Sequence, residues 1–182
     1  MIEYNLIEEC QKGDLKSFRE LVKMTSPFVY SVAFRMLGEE EIARDVVQDT
    51  MIIVWQKIGK MKSAAAYRMW VYRIVMNRCY DKLRQLKNNP EIRGDEKTWI
   101  LLSETISDNH HNQLENDDIS SVLKLLTARL SPKQKSIFIL SEIEEMSHEE
   151  ISGITGMSKA SVKANLCFAR KNISEMLQKY LK

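Results

Sequence analysis

A chain of 182 residues carrying 27 basic and 25 acidic side chains, a net charge of +2 and 44% apolar residues has the makeup of a folded globular protein, not a disordered or fibrous one. Its three widely spaced cysteines supply no disulfide framework, and its three histidines have no cysteine or carboxylate set at metal-ligand spacing. No signal peptide is visible and no apolar run approaches the ~20 residues needed to cross a bilayer. The expectation is a soluble cytoplasmic protein with no metal and no cofactor.

Only 6 Gly and 3 Pro interrupt the chain, and period-2 alternation is almost absent, so an all-α fold is expected. A first helix is predicted over Ile2–Lys12, with Ile2, Leu6, Ile7 and Cys10 inward and Gly13 as its stop. Asp14 is the N-cap of a second helix that turns Phe18, Leu21 and Val22 inward. Thr25-Ser26-Pro27 reads as a break, followed by a third helix carrying Phe28, Val29, Val32, Ala33, Met36 and Leu37 up to Gly38. The acidic run Glu39–Glu41 suits the N-terminus of a fourth helix, which runs to about Ile58 with Val47, Met51, Val54 and Ile58 inward. On its outer side Asp45, Gln48, Asp49 and Ile52 fall together at i, i+3, i+4 and i+7. Such a strip is either a solvated face or a docking surface whose acids meet cations on a partner.

From Ala64 to Lys87 the chain is aromatic, basic and apolar at once. Tyr72, Met76, Cys79 and Leu83 form one apolar stripe, and Tyr67, Val71 and Ile74 form another. Arg73, Asn77, Tyr80 and Arg84 share a third face, with Trp70 at its edge. Cations, an amide and an aromatic ring on one face suit a nucleic acid with exposed bases; a core helix whose basic stems reach out to solvent is the alternative. Residues 60–87 hold 8 basic side chains against 1 acidic, Asp81. Positive charge clustered in this way points to a polyanionic partner.

Asn88-Asn89-Pro90 ends that helix. The segment to Asp118 has 2 basic and 8 acidic residues and reads as a flexible acidic linker, interrupted by Trp99-Ile100-Leu101-Leu102. A helix over Ile119–Leu130 opens the C-terminal block. Ser131-Pro132-Lys133-Gln134 combines a capping box with Pro at the first helical position, starting a helix to about Glu145 that buries Ile137, Phe138, Leu140 and Ile143. Ser147-His148-Glu149-Glu150 is a second capping box before a short helix with Ile151 and Ile154. Gly156 makes a turn and Ser158 caps a last helix with Val162, Leu166, Ala169, Ile173 and Leu177 inward. Short helix, glycine turn and long helix outline a helix-turn-helix, or else a hairpin used only for packing. If it binds DNA, Lys159, Lys163, Asn165 and Arg170 face the groove with Ala160 and Ala164 between them, while Ser158 and Ser161 sit where a helix N-terminus meets phosphate. Cys10, Cys79 and Cys167 all lie in apolar contexts and are expected to be buried.

Taken together, GDLKSF (Gly13–Phe18), RMLG (Arg35–Gly38), ARDVVQDTMIIVW (Ala43–Trp55), YRMWVYRIVMNRCYDKLR (Tyr67–Arg84), LSPKQKSIFIL (Leu130–Leu140) and MSHEEISGITGMSKASVKANLCFARKNI (Met146–Ile173) resemble, in order and spacing, the segments of bacterial RNA polymerase sigma factors of the extracytoplasmic-function type. The resemblance implies two small helical domains: region 2 over residues 1–87 and region 4 over 119–182, joined by the linker 88–118. It implies core RNA polymerase and promoter DNA as partners, with an anti-sigma factor as regulator, and a specificity role instead of an enzymatic one. Under it, Asp45, Gln48, Asp49 and Ile52 match the surface that docks on the polymerase. The loop Gly59–Ala64, with Lys60, Met61, Lys62 and Ser63, matches the loop that holds a flipped minus-ten base. Trp70, Arg73, Asn77, Tyr80 and Arg84 would meet the opened minus-ten strand, Asn77 foremost. Ser158, Lys159, Ser161, Lys163, Asn165 and Arg170 would read the minus-thirty-five element. Met61 and Lys62 stand where the family commonly has Phe and Arg, and Lys163-Ala164-Asn165 replaces an arginine-rich stretch, so promoter sequence is not carried over. A helix-turn-helix regulator acting without polymerase, and an adaptor with no DNA role, are the competing readings.

Overall fold

The computed structural model describes residues 4–61, 63–88 and 126–180. The acidic linker from residue 89 on, Trp99–Leu102 within it, most of the helix expected over 119–130, and Ile2 lie outside the described residues. Those described form helices and turns, with no strand among them.

The N-terminal block is a four-helix bundle of α1 (Tyr4–Gln11), α2 (Leu15–Leu37), α3 (Glu40–Lys57) and α4 (Tyr67–Asn88). Its starts and stops are local. Asp14 accepts from the Ser17 amide at 2.7 Å, and Gly13 and Gly38 take the left-handed conformation that lets the chain leave a helix. Leu6, Ile7, Cys10, Leu21, Val32, Met36, Val46, Val54, Ile58 and Tyr67 are buried in its centre. Val46 takes the fully buried place expected for Val47, which is half-buried.

One expectation fails outright: α2 is a single helix, not two. Pro27 lies inside it without ending it. Leu21, Thr25, Val29, Val32 and Met36 continue one buried stripe across the proline, so breaking the helix would expose half of that stripe. Pro27 and Lys23 lie on the exposed side, where water can take the Lys23 carbonyl that Pro27 leaves without a donor. Thr25 helps, because its hydroxyl meets the Tyr67 hydroxyl of α4 at 3.0 Å within the core.

In the C-terminal block α5 (Pro132–Phe138) passes into a wide π-turn over Ile139–Ile143, followed by α6 (His148–Thr155) and α7 (Lys159–Tyr180). Both predicted capping boxes form, at Ser131 with Gln134 and at Ser147 with Glu150. The π-turn rotates the face that periodicity anticipated: Ile137, Ile139 and Leu140 are buried, whereas Phe138 and Ile143 are only half-buried. In α7 Met176 is buried in place of Leu177, which is 39% exposed. Cys10 and Cys79 are buried as expected; Cys167 is exposed.

The two blocks do not stand apart. Ile137, Ile139, Leu140, Ile151 and Val162 belong to the same apolar cluster as Val71, Met76 and Cys79 of α4.

Candidate nucleic-acid and polymerase interfaces

On α3, Asp45, Gln48 and Ile52 are exposed and Asp49 half-buried, so the predicted strip is a real surface; Ile52 is 48% exposed. Asp45 is not unpartnered, since Lys82 of α4 approaches its carboxylate at 3.4 Å. Trp55 continues the strip one turn on and packs its ring on Phe18 with centroids 4.6 Å apart.

The loop after α3 begins with a 3-10 turn over Ile58–Lys60, and a second 3-10 turn over Ala64–Ala66 precedes α4, which therefore starts at Tyr67 and not at Ala64. Lys60 and Ser63 are exposed and Met61 is half-buried; Lys62 lies outside the described residues. A residue missed by sequence reasoning holds this loop. The Gln11 side-chain amide donates to the Ile58 carbonyl at 3.2 Å and the Met61 carbonyl at 2.8 Å. Its position at the last turn of α1, after the buried Cys10, gave no sign of a partner 47–50 residues away.

Helix α4 is buried on two sides along its two stripes: Tyr67, Val71, Tyr72, Ile74, Met76 and Cys79 are in the core, while Leu83, expected inward at the end of one stripe, is only half-buried against it. Burial raises Tyr67 to about 12 and Tyr72 to about 12, the latter also through its hydrogen bond to Glu144, so both phenols stay protonated. Trp70 is half-buried against Tyr67, with ring centroids 6.2 Å apart. The mixed face is laid out in a row. Arg73, Asn77 and Arg84 are exposed and Tyr80 is half-buried. Arg84 approaches Asp81 at 3.7 Å, and Asp81 also pairs with Arg78 at 2.7 Å. Arg73 donates to the Gly153 carbonyl, and the Tyr80 hydroxyl bonds the Ser136 hydroxyl.

In the C-terminal block the helix-turn-helix is complete. Gly156 turns the chain between α6 and α7 in the left-handed conformation, and the Ser158 hydroxyl accepts from the Ser161 amide at 3.2 Å. Of the predicted readers Ser158, Lys159, Lys163 and Arg170 are exposed, while Ser161 and Asn165 are half-buried. The Asn165 amide nitrogen donates to the Ser161 carbonyl at 2.8 Å, one turn back along the helix. Lys159 pairs with Glu149 at 2.9 Å and Arg170 with Glu142 at 2.7 Å. Pairs this exposed are weak, so a phosphate can take over either cation at little cost. Phe168, 58% exposed, and Cys167 lie beside them on α7, and periodicity did not single out either as surface.

An all-helical chain that sets a helix-turn-helix beside a basic, aromatic helix is built as a DNA-binding protein. Sigma-70 region 2 matches residues 21–89, and sigma-70 region 4 matches residues 120–173. The chain is 24% identical to the ECF RNA polymerase sigma factor SigW of Bacillus subtilis, over 94% of this chain and 95% of that one. It is 25% identical to the ECF RNA polymerase sigma-E factor of Haemophilus influenzae, over 95% and 94%. In fold it is similar to CnrH, solved in complex with the cytosolic domain of CnrY, with a TM-score of 0.69, 20% identity and 96% of each chain covered. It is also similar in fold to the sigma factor RpoE of Bartonella quintana, solved in complex with the anti-sigma factor NepR, with a TM-score of 0.65, 23% identity and 90% and 98% covered. The chain belongs to the sigma-70 family, as an RNA polymerase sigma factor of the extracytoplasmic-function type that serves promoter-specific transcription initiation.

Proposed function

We propose that the chain divides this work among three surfaces, with region 2 in residues 1–87, a linker in 88–118 and region 4 in 119–182. Asp45, Gln48, Asp49 and Ile52 dock on core polymerase. Lys60, Met61, Lys62 and Ser63, with Trp70, Arg73, Asn77, Tyr80 and Arg84, receive the minus-ten strand. Ser158, Lys159, Ser161, Lys163, Asn165 and Arg170 read the minus-thirty-five duplex. The observation that carries this reading is the exposed Arg73–Asn77 ledge on a helix otherwise buried on two sides. Unstacking a base costs a few kcal/mol, and stacking plus pocket contacts worth ~1–3 kcal/mol per base offset it without an energy-consuming reaction.

The protein acts in the cytoplasm alongside polymerase, contributes specificity and no catalysis of its own, and is regulated by an anti-sigma factor; the complex of RpoE with the anti-sigma factor NepR supports the last point. Run-off transcription with purified core polymerase on a genomic promoter library is the test. Transcripts starting at discrete promoters are expected only when the chain is added, and their absence together with failure to co-purify with core polymerase overturns the reading. On a promoter found in this way, Asn77→Ala is expected to reduce permanganate-reactive thymines more than closed-complex binding. Equal loss of both removes Asn77 from the melting step.

A further inference from the structure

The strip on α3 assigned above to core polymerase is partly neutralised by the chain itself. Its two carboxylates, Asp45 and Asp49, bring a charge of −2, and the Lys82 ammonium of α4 stands 3.4 Å from one Asp45 oxygen. With Lys82 counted, the strip carries −1. Of the two carboxylates, Asp45 alone has a cation in ion-pair reach among the described residues.

The position of Lys82 follows from the packing of α4. Val71, Val75, Arg78 and Lys82 fall at i, i+4, i+7 and i+11, on one face of the helix. Val71 and Val75 are fully buried, and the stripe they begin runs out in two half-buried cations. The apolar stems of Arg78 and Lys82 lie along the bundle while their charged ends reach water. Arg78 finds its counter-ion on α4 itself, in Asp81 at 2.7 Å. That carboxylate also has Arg84 at 3.7 Å, and Lys82 reaches across to α3 instead.

The two ends of this pair differ in exposure. The Lys82 side chain is 27% exposed and the Asp45 side chain 63%. The lysine stem is already held by its neighbours, so little further rotamer freedom is lost in keeping the ammonium beside the carboxylate. The open carboxylate is the end that a partner can reach. An ion pair this exposed contributes little and exchanges readily, so a cation brought by another protein can take the place of Lys82.

We propose that Lys82 is an intramolecular competitor for the docking carboxylate Asp45, and so lowers the affinity of the chain for core polymerase. Docking sets a cation of the polymerase on Asp45 and displaces the lysine. At 100° per residue Lys82 lies on the side of α4 away from Arg73 and Asn77, so its effect falls on docking and not on DNA. The inference rests on the reading of Asp45 as a polymerase contact, and the following experiment separates the two.

Core polymerase immobilised on a biosensor is titrated with the full chain at low and at high salt. The variants are Lys82→Met, Lys82→Gln, Lys82→Arg, Asp45→Asn, and Lys82→Met combined with Asp45→Asn. Asp45→Asn is expected to weaken binding. Lys82→Met, which keeps the stem and removes the charge, is expected to tighten it about threefold at low salt, the range of an exposed ion pair. The gain is expected to fade at high salt, where such pairs are screened. Lys82→Gln is expected to act as Lys82→Met does, and Lys82→Arg, which keeps the cation, is expected to give no gain. In the Asp45→Asn background Lys82→Met is expected to lose its effect.

Unchanged or weaker binding by both neutral Lys82 variants, with Asp45→Asn still weakened, overturns the competition and leaves the docking strip standing. An equal gain from Lys82→Met in both backgrounds also overturns it, because the effect is then one of overall charge. Full affinity of Asp45→Asn removes Asp45 from the docking surface and the competition with it.

Discussion

Gln11→Met removes both hydrogen bonds that tie α1 to the loop after α3 while keeping the side chain's length. The Gln11 amide reaches two carbonyls, at 3.2 and 2.8 Å, on either side of Gly59 and Lys60. A net hydrogen bond contributes ~0.5–1.5 kcal/mol, so the two together hold the loop by ~1–3 kcal/mol. At 1.4 kcal/mol per factor of ten, this is a shift of about 5- to 150-fold in the equilibrium between ordered and released loop. Limited trypsin digestion at exposed Lys60 reads that equilibrium without DNA, and cleavage is expected to accelerate in Gln11→Met by a factor in this range. If the loop receives a flipped base, promoter opening by the holoenzyme falls by a comparable factor while affinity for core polymerase is unchanged, because the α3 strip is untouched. Unchanged trypsin cleavage refutes the anchoring role. Faster cleavage with normal promoter opening refutes the link from loop order to DNA opening.

Tyr67→Phe strands the buried Thr25 hydroxyl and is expected to cost ~1–3 kcal/mol in urea unfolding, whereas Tyr67→Phe with Thr25→Val together cost less than the two single changes added; strict additivity removes the pair's role. The carboxyls of Glu150 and Asp14 are both held below their ordinary values, mainly by hydrogen bonds from Ser147 and Ser17. A depressed carboxylate contributes stability that is present above its ordinary value and lost as pH falls through the lowered one. Thermal melts are therefore expected to drop on acidification below that range, with a smaller drop in Ser147→Ala, which itself costs ~1 kcal/mol at neutral pH. Cys167 alone is expected to react with a maleimide in the folded chain, since Cys10 and Cys79 are buried and their thiols are raised to about 11 and about 12 by burial; mass spectrometry showing modification at either buried site contradicts the packing.

Short-range signals were legible because their physics is short-range. Asp14, Ser131, Ser147 and Ser158 cap helices through donors three residues away, and Gly13, Gly38 and Gly156 leave helices through a conformation that costs glycine nothing. The apolar stripes of α4 gave its two buried sides, and the spacing of capping box, glycine and cap gave the helix-turn-helix. Where a long-range contact decides the outcome, the same rules mislead. Pro27 reads as a break, but the stripe from Leu21 to Met36 and the bond from Thr25 to Tyr67 hold the helix together. Periodicity placed Phe138, Ile143 and Leu177 inward because it assumes an unbroken α-helical turn and a neighbour of fixed outline; the π-turn and the packing of α7 supply neither.

By itself, then, the sequence determined most of the helices and of their ends and the basic and aromatic character of α4, and it named the candidate reading residues of α7. Tertiary structure alone decided that Gln11 anchors a loop 47–50 residues away and that Cys167 faces solvent. It also decided that Arg35 and Tyr72 meet Glu144 across 109 and 72 residues, setting the C-terminal block against α2 and α4. Caps and periodicity act over a few bonds of chain, whereas these contacts depend on which surfaces the assembled helices bring within reach.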